Sequence, residues 1–445
     1  MKPCFAILFV SILFIIPVKS QDRVLTDTEK ILGLSRLWEG VRSNFVYYDQ
    51  LKFDWDSLYE ASIPKVMEIK DTYTYLEELE SLAASVKDGH TYVSHRGVIP
   101  REDRITPAPF TTQFVDGKVL VDKIWSSLLI DKGIKRGTEV VSINGMDVIT
   151  YAEEVLGRYI SSSTPQWLYH NTLFNYELTK GRRTVPISIG FREKNRIITV
   201  SIDRGMIWDL QENERIKENG KDIKNEHYSI KYELLGNNIG LLTIKDFMSD
   251  SMNDNFDNMY EDILTSDGLI IDIRNNAGGN SSRADYILRH LIDKPIKSSP
   301  WSSRMYIPAH ASWNYPAEWY ARSSEVLNPI DKEIYKKTVI VLTNGGTFSA
   351  AEDFAVRFKS AKRGSIFGAA TGGSTGNGIQ ITLIKDLAWV NVCAKKDIAP
   401  DGTVFVGIGV LPDMEIHQTK DGFLSDRDPV LEKAVGEIES AVRRK

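Results

Sequence analysis

The chain has 445 residues, of which 42% are apolar and 10% aromatic, and its 55 Lys and Arg residues nearly balance 60 Asp and Glu residues. A chain of this length is longer than a domain with a single hydrophobic core usually is, so two or three domains are expected. Because the charge is balanced and no long run of one sign occurs, nucleic acid is excluded as an expected partner.

The first 20 residues have the pattern of a secretory signal peptide. A basic start precedes an apolar run from Phe5 to Ile16, and small or apolar residues lead to a cleavage position after Ser20. The run is short for a membrane span, so we expect an exported protein (periplasmic, outer-envelope associated or secreted) with no stable span after cleavage. An uncleaved anchor is the alternative. Cleavage would leave Cys393 without a disulfide partner, and its apolar neighbours predict a buried thiol.

Residues 21–104 predict an N-terminal helical domain. Apolar residues from Ile31 to Phe45 fall on one helical face, and a second amphipathic helix from about Tyr75 is expected to end at Gly89. His90 follows, where the chain turns into a strand. A lone histidine is usually structural, and a catalytic base is the alternative. The chain's seven histidines lack ligand-like spacing, so we expect no metal and no cofactor.

Residues 105–205 predict a β domain. The stretch from Phe114 to Val121 is a hairpin around Asp-Gly, and Leu129 to Val148 gives a short helix, a turn, a strand and an Asn-Gly turn. This second stretch resembles part of a PDZ module, which two later strands between Val185 and Asp203 would complete. PDZ modules bind peptides by adding them as a strand. A PDZ-like spacer without a ligand is the alternative.

A polar connecting segment at residues 206–236 leads into residues 237–445, where strands and helices alternate as in an α/β domain. Gly278 and Gly279 directly follow a buried strand, where their main-chain amides could approach an anion or an oxyanion. A plain tight turn is the alternative. The aromatic insertion from Asp293 to Lys337 is expected to cover one face of the sheet and to form a cleft wall.

The stretch from Thr338 to Lys359 predicts a strand, a tight turn and a helix, with Ser349 at the junction. The free amides of the first helical turn would face any group that approaches this serine, so Ser349 is a candidate nucleophile. The spacing of Ser349 and Glu352 is also that of a capping box, and a helix cap is the alternative.

Five motifs occur in order along the chain: DGHTYV from Asp88, GLIIDIRNNAGG from Gly268, LTNGGTFSAAEDFA from Leu342, GAATGGSTG from Gly368 and GIGVLPD from Gly407. Together they resemble the C-terminal processing (tail-specific) serine peptidases and the core of tricorn protease, over about Leu32 to Ile416. The resemblance implies an α/β fold with a crotonase-like ββα-type core, an inserted PDZ-like β domain and an N-terminal helical segment.

The resemblance also implies roles for individual residues. Ser349 corresponds to the nucleophile, and the oxyanion would be bound by a glycine amide of Gly278 or Gly279 together with the amide of Ala350. One branch of the family uses a lysine 25 positions after the nucleophile, where this chain has Ser374. The tricorn-like branch uses a histidine that His90 matches.

The resemblance leaves the third catalytic group unassigned. The family's glutamate position falls on Val406 in this chain. Asp88, Asp401 and Glu415 are the candidates to orient or support His90, and Glu352 is interpreted as a helix cap.

The sequence therefore predicts an exported serine endopeptidase that cleaves extended or unfolded polypeptides through an acyl-enzyme on Ser349, with His90 as general base. The alternative is a non-catalytic binder of apolar ligands or peptides on the same scaffold, like interphotoreceptor retinoid-binding protein. The presence of both Ser349 and His90 favours the enzyme, because a binder needs neither. The sequence leaves the oligomeric state and the cleavage preference open.

Overall fold

The computed structural model describes residues 23–96, 105–204, 228–313 and 315–444. The predicted signal peptide and residues 206–227 of the predicted connecting segment lie outside these ranges. Among the described residues, no helix is both long and apolar enough to cross a bilayer.

The N-terminal unit packs three helices against a small sheet. Its elements are α1 Asp27–Asn44, α2 Trp55–Glu68, α3 Thr72–Ser85 and β1 Tyr92–His95. The prediction that the second amphipathic helix ends at Gly89 is wrong: the helix ends at Ser85, and Lys87 supplies the left-handed turn with φ +55°. Gly89 is needed for a different reason, because a Cβ there would lie 2.8 Å from the Phe348 ring.

The next unit, from residue 105 to 204, is built on a twisted antiparallel sheet. Its elements are β2 Ile105–Thr106, β3 Phe110–Val115, β4 Lys118–Ile124, α4 Ser127–Asp131, β5 Glu139–Ile143, β6 Met146–Asp147, α5 Val148–Thr150, α6 Pro165–Leu173, β7 Gly181–Arg182, β8 Ile187–Glu193 and β9 Arg196–Ile202. The strand order is β3-β4-β5-β8-β9, with β6 paired to β5. The predicted Asp116-Gly117 hairpin joins β3 to β4, and both turn residues have positive φ.

The third unit alternates strands and helices as the sequence predicts. Its elements are β10 Ile230–Leu234, β11 Ile239–Ile244, α7 Met252–Thr265, β12 Gly268–Asp272, α8 Ser281–Arg289, β13 Ile296–Lys297, β14 Trp301–Met305, α9 Pro308–Ser312, β15 Glu318–Arg322, β16 Val326–Leu327, β17 Thr338–Thr343, α10 Ala350–Ser360, β18 Ser365–Gly368, β19 Gly378–Ile384, β20 Ala388–Cys393, β21 Lys396–Asp397, β22 Met414–Glu415, α11 Lys420–Leu424 and α12 Pro429–Arg443. The mixed α/β architecture expected from the sequence is thereby confirmed.

The main sheet of this unit has the order β10-β11-β12-β17-β18-β22, and all its strand pairs except β10–β11 are parallel. The helices α7, α8 and α10 pack on one face, and α12 packs on the other. The carboxyl ends of β12 and β17 meet at one edge of this sheet. Loops at such an edge are the usual location of a ligand site in α/β folds.

Two late strands belong spatially to the N-terminal unit. β20 lies between β1 and β19 in an antiparallel sheet, and both late strands pack on the N-terminal helices in a shared apolar core. Cys393, at the end of β20, is fully buried and free, as predicted. The pairing of β1 with β20 carries the loop before β1, and therefore His90, to the edge of the third unit.

The aromatic insertion forms an arm, defined here as residues 301–322. β14 pairs with β15 on one side and with β21 on the other, and Arg304 lies over the Tyr48 ring and 3.3 Å from Asp49 of the N-terminal unit. The expectation that its aromatic residues cover the sheet is wrong, because Trp319 and Tyr320 are exposed to solvent.

Candidate active site

Ser349 occupies a sharp turn between β17 and α10. Its backbone has φ +57° and ψ −121°, a region that residues with a side chain rarely adopt. The turn presents the Ser349 side chain in front of the first turn of the helix, where backbone amides lack helical partners. The predicted strand, turn and helix around this serine are therefore present, and the strained turn is a feature typical of functional sites.

His90 contacts Ser349 although 259 positions separate them. The His90 Nε2 atom lies 3.0 Å from Ser349 Oγ. The imidazole stacks on the Phe348 ring at 4.7 Å, with 10° between the two planes. Its backbone is held as well, because Asp88 Oδ1 accepts from the His90 amide and Asn391 Nδ2 donates to the His90 carbonyl. The two residues singled out in the sequence therefore form a hydrogen-bonded pair.

Ser374 contacts the other nitrogen of the same ring. His90 Nδ1 lies 2.9 Å from Ser374 Oγ, and Ser374 is fully buried. When Nε2 accepts a hydrogen bond from the Ser349 hydroxyl, Nδ1 carries the ring proton and donates a hydrogen bond to Ser374 Oγ. Ser374 is thus the hydrogen-bond partner of His90 Nδ1, and its hydroxyl can accept from Nδ1 in the tautomer whose Nε2 is unprotonated. The signal in the sequence was its position alone, 25 residues after Ser349.

None of the three candidates for the third group reaches the imidazole. The Asp88 carboxylate accepts from the His90 amide and the Thr91 hydroxyl, so it fixes the loop and not the ring. Asp401 caps the amide of Thr403, and Glu415 pairs with His417 on the surface. Asp401 and Glu415 are therefore corrected as supports of His90, whereas Asp88 supports the histidine through its backbone amide and does not orient the ring.

Glu352 is more than a helix cap. It is fully buried, and its carboxylate accepts hydrogen bonds from the Ser349 amide at 3.3 Å, the Gly373 amide at 2.7 Å, the Ser374 amide at 2.9 Å and the Thr371 hydroxyl at 2.5 Å. One carboxylate therefore links the turn that carries Ser349 to the loop that carries Ser374. The S-x-x-E spacing indicated only the first of these contacts.

The glycine loop after β12 lies against Ser349. A Cβ on Gly278 would be 2.7 Å from Ser349 Cβ and 2.9 Å from the Ala350 nitrogen, so no larger residue fits there. The Gly278 amide donates to Asn276 Oδ1, and the Gly278 carbonyl accepts from Phe247. In a trans peptide the Gly279 N–H points away from that carbonyl and therefore away from Phe247.

The sequence proposed three amides for an oxyanion hole. In the structure, the amide of Gly278 already donates to Asn276 Oδ1. Those of Gly279 and Ala350 have no hydrogen-bond acceptor among the described residues. An unengaged amide at a helix N-terminus is able to bind developing negative charge.

The second unit also contributes to the site. Trp167 of α6 stacks on the Phe348 ring at 3.9 Å, and Phe348 in turn stacks on His90. Thr164 Oγ1 and Gln166 Nε2 donate to carbonyls of the loop that contains Ser374. The segment around α6 therefore helps to position the loop that contains Ser374.

Burial sets the charge states of the site. It lowers the pKa of His90 to about 4, with the Asp353 charge opposing this effect and the Lys395 charge adding to it, so the imidazole is neutral at neutral pH. Burial raises the pKa of Glu352 to about 7, although four hydrogen bonds to the carboxylate partly counter this effect. The site thus contains a neutral base beside a serine hydroxyl, as acyl transfer to serine requires.

Comparisons with known proteins bear on the same region of the chain. Residues 238–416 match the model of peptidase family S41. A probable CtpA-like serine protease of Staphylococcus aureus is 26% identical over 255 residues, which cover 56% of this chain and 46% of the relative. The chain therefore spans about half the length of the curated relatives that it matches.

Solved structures share the fold. Mature CPAF, in a complex with lactacystin, superposes with a TM-score of 0.66 at 15% identity, covering 94% of this chain and 99% of CPAF. Tricorn protease superposes with a TM-score of 0.50 at 18% identity, covering 94% of this chain and 37% of tricorn protease. The fold of these peptidases therefore extends over all three units, well beyond the segment that matches the family model.

Proposed function

We propose, from the membership of this chain in the C-terminal processing protease family, that it is a serine endopeptidase acting through Ser349, His90 and Ser374. The observation that carries this proposal is the continuous hydrogen-bonded chain Ser349 Oγ, His90 Nε2, His90 Nδ1 and Ser374 Oγ, with contacts of 3.0 and 2.9 Å. His90 lies 259 and 284 positions from the two serines, so local structure does not impose this alignment.

The chemistry follows from the geometry. Ser349 Oγ bonds to the scissile carbonyl carbon while its proton moves to His90 Nε2, and the carbonyl oxygen becomes an oxyanion. The intermediate collapses as the C–N bond breaks, and the Nε2 proton passes to the leaving amine. A water molecule then gives a proton to His90 and attacks the ester, which releases the carboxylic acid product and returns the proton to Ser349.

Two further groups support this reaction. The amides of Gly279 and Ala350 would donate to the oxyanion, since both are unengaged, Ala350 directly follows Ser349, and Gly279 directly follows Gly278, which lies against Ser349. Ser374 accepts from Nδ1–H and so keeps Nε2 free as the base. A serine acceptor is neutral, so it stabilises the imidazolium of the transition state less than a carboxylate would.

The substrate we propose is an extended or unfolded polypeptide, and the compartment is outside the cytoplasm. The first part rests on the family and on the PDZ-like resemblance of residues 105–205, whose module would bind peptide as an added strand. The second rests on the signal-like sequence of residues 1–20. The non-catalytic binder is not favoured, because Ser374 takes the place of the missing lysine as a partner for the catalytic pair.

A labelling experiment tests the proposal. The purified chain should react with a fluorophosphonate probe and hydrolyse unfolded casein, and Ser349→Ala should lose both activities. Ser360→Ala, at the other end of the same helix, is the matched control and should retain both. Hydrolysis that persists in Ser349→Ala, or a well-folded wild-type chain that neither labels nor cleaves, would refute the proposal.

A further inference from the structure

The outer strand of the arm is an exposed sheet edge. All five residues of β15, from Glu318 to Arg322, are exposed, and among the described residues this strand pairs only with β14. Its other edge therefore presents unpaired backbone N–H and C=O groups. Its register with β14 is regular, without a bulge, and the strand contains neither proline nor lysine. Bulges, prolines and lysines are among the devices by which proteins usually prevent an edge strand from pairing.

The same arm carries a concentration of large exposed apolar side chains. Those exposed within residues 305–320 are Met305, Tyr306, Trp313, Tyr315, Trp319 and Tyr320. Exposed apolar patches of this kind usually mark interaction surfaces. An edge strand and an apolar patch on one protruding element indicate a partner that adds a strand.

The sequence of β15 is complementary to itself. When two copies of Glu318-Trp-Tyr-Ala-Arg322 run antiparallel about a two-fold axis at Tyr320, each Glu318 lies opposite Arg322 of the partner subunit. The large Trp319 then lies opposite the small Ala321, and the two Tyr320 rings meet on the axis. Opposite charges and aromatic pairs directly across a strand pair are stabilising. A symmetric interface requires this kind of self-complementary surface.

We propose that β15 pairs with β15 of a second copy of this chain, which joins the two three-stranded arm sheets into one sheet of six strands. The existing partners of the two charged residues do not prevent this. Glu318 Oε1 lies 3.0 Å from His310 Nδ1, and Arg322 pairs with Glu325. Both contacts lie at the surface, where pairs of this kind contribute little and exchange partners readily.

Charge reversal tests the pairing. Sedimentation velocity of the purified chain should show a dimer that dissociates on dilution. Glu318→Arg and Arg322→Glu each place like charges opposite each other at two symmetric positions, and each should weaken the dimer by roughly tenfold or more. The double variant Glu318→Arg/Arg322→Glu should restore it. A wild-type chain that is monomeric throughout the micromolar range, or single variants that dimerise like wild type, would overturn the proposal.

A cysteine cross-link tests the register. In a Cys4→Ser background, Tyr320→Cys should form a disulfide-linked dimer under mild oxidation, because opposed residues of an antiparallel pair lie within disulfide reach and Cys393 is buried. Ile197→Cys, on the exposed edge strand β9, is the matched control and should remain monomeric. Equal cross-linking of the two variants would contradict the proposed register. A monomeric chain in which β15 substitutions raise KM for unfolded polypeptide would instead assign the strand to substrate.

Discussion

Replacing Ser374 by alanine isolates the role of the His90 Nδ1 contact. The backbone contacts of Ser374, from its carbonyl to the Ser349 amide and from its amide to Glu352, do not involve its hydroxyl and should remain. The substitution therefore removes one acceptor from a buried imidazole. Residue 374 is fully buried, so water has no access to take the hydroxyl's place.

The size of the effect follows from the cost of an unsatisfied buried donor, about 1–3 kcal/mol. At 1.36 kcal/mol for each tenfold change in rate, kcat/KM should fall by about 5- to 150-fold. The same contact lowers kcat/KM for a second reason. Without the Ser374 acceptor, the ring proton of His90 is free to move to Nε2, and a protonated Nε2 cannot accept the Ser349 proton. Because the unsatisfied donor is also present in the folded resting state, the thermal midpoint should fall as well, and the rates are therefore compared well below it.

The assay is kcat/KM on an unfolded fluorogenic casein, together with the rate of fluorophosphonate labelling. Thr375→Val is the matched control, because it removes a hydroxyl from the next residue, which hydrogen bonds neither His90 nor Ser349. The kcat/KM and the labelling rate of this variant should stay close to those of the wild type. If Ser374→Ala retained wild-type kcat/KM and labelling rate while Ser349→Ala lost both, Ser374 would have no part in orienting His90 and the argument above would be wrong.

Three further predictions concern the same site. Since burial lowers the pKa of His90 to about 4, the acid limb of the kcat/KM profile should fall near that pH; a limb centred at pH 6.5 would contradict the burial argument. Glu352 has a pKa of about 7 in the folded chain against its usual 4.5, so its contribution to stability is present below pH 4.5 and is lost as the pH rises through 7. The melting temperature of Glu352→Gln relative to wild type should therefore increase across this window, and a constant difference would argue against a protonated carboxyl. Gly278→Ala should lower kcat/KM by about 100-fold, because its Cβ would displace Ser349, whereas Gly145→Ala, also at positive φ but with open space around it, should keep full activity.

The sequence predicted the parts of this site that are encoded locally. An apolar β-branched run, a glycine turn and helical periodicity placed Ser349 at a strand–helix junction, and the motif around His90 singled out the histidine. Ser374 was identified only as the place where a lysine is missing. Its role depends on a hydrogen bond across 284 positions, which no local pattern encodes.

The same distinction explains Glu352 and the arm. The spacing from Ser349 correctly predicted that Glu352 accepts from the Ser349 amide. The other three contacts of Glu352 come from the loop at residues 371–374, which folds back onto the helix. The aromatic residues of the arm were expected to cover the sheet because large apolar side chains usually lie inside. Trp319 and Tyr320 are exposed because β15 is the outer strand of its sheet, and the order of strands in a sheet is not determined by composition.

The pairing of β1 with β20 also determines when the candidate site can assemble during synthesis. His90 precedes Ser349 by 259 positions and Ser374 by 284 positions, and β20 follows all three residues. A nascent chain therefore carries the proposed base before the proposed nucleophile, and then carries both before the strand that brings them together. Such long-range contacts also form late in folding. The proposed Ser349–His90 pair can therefore form only after β20 has been synthesised.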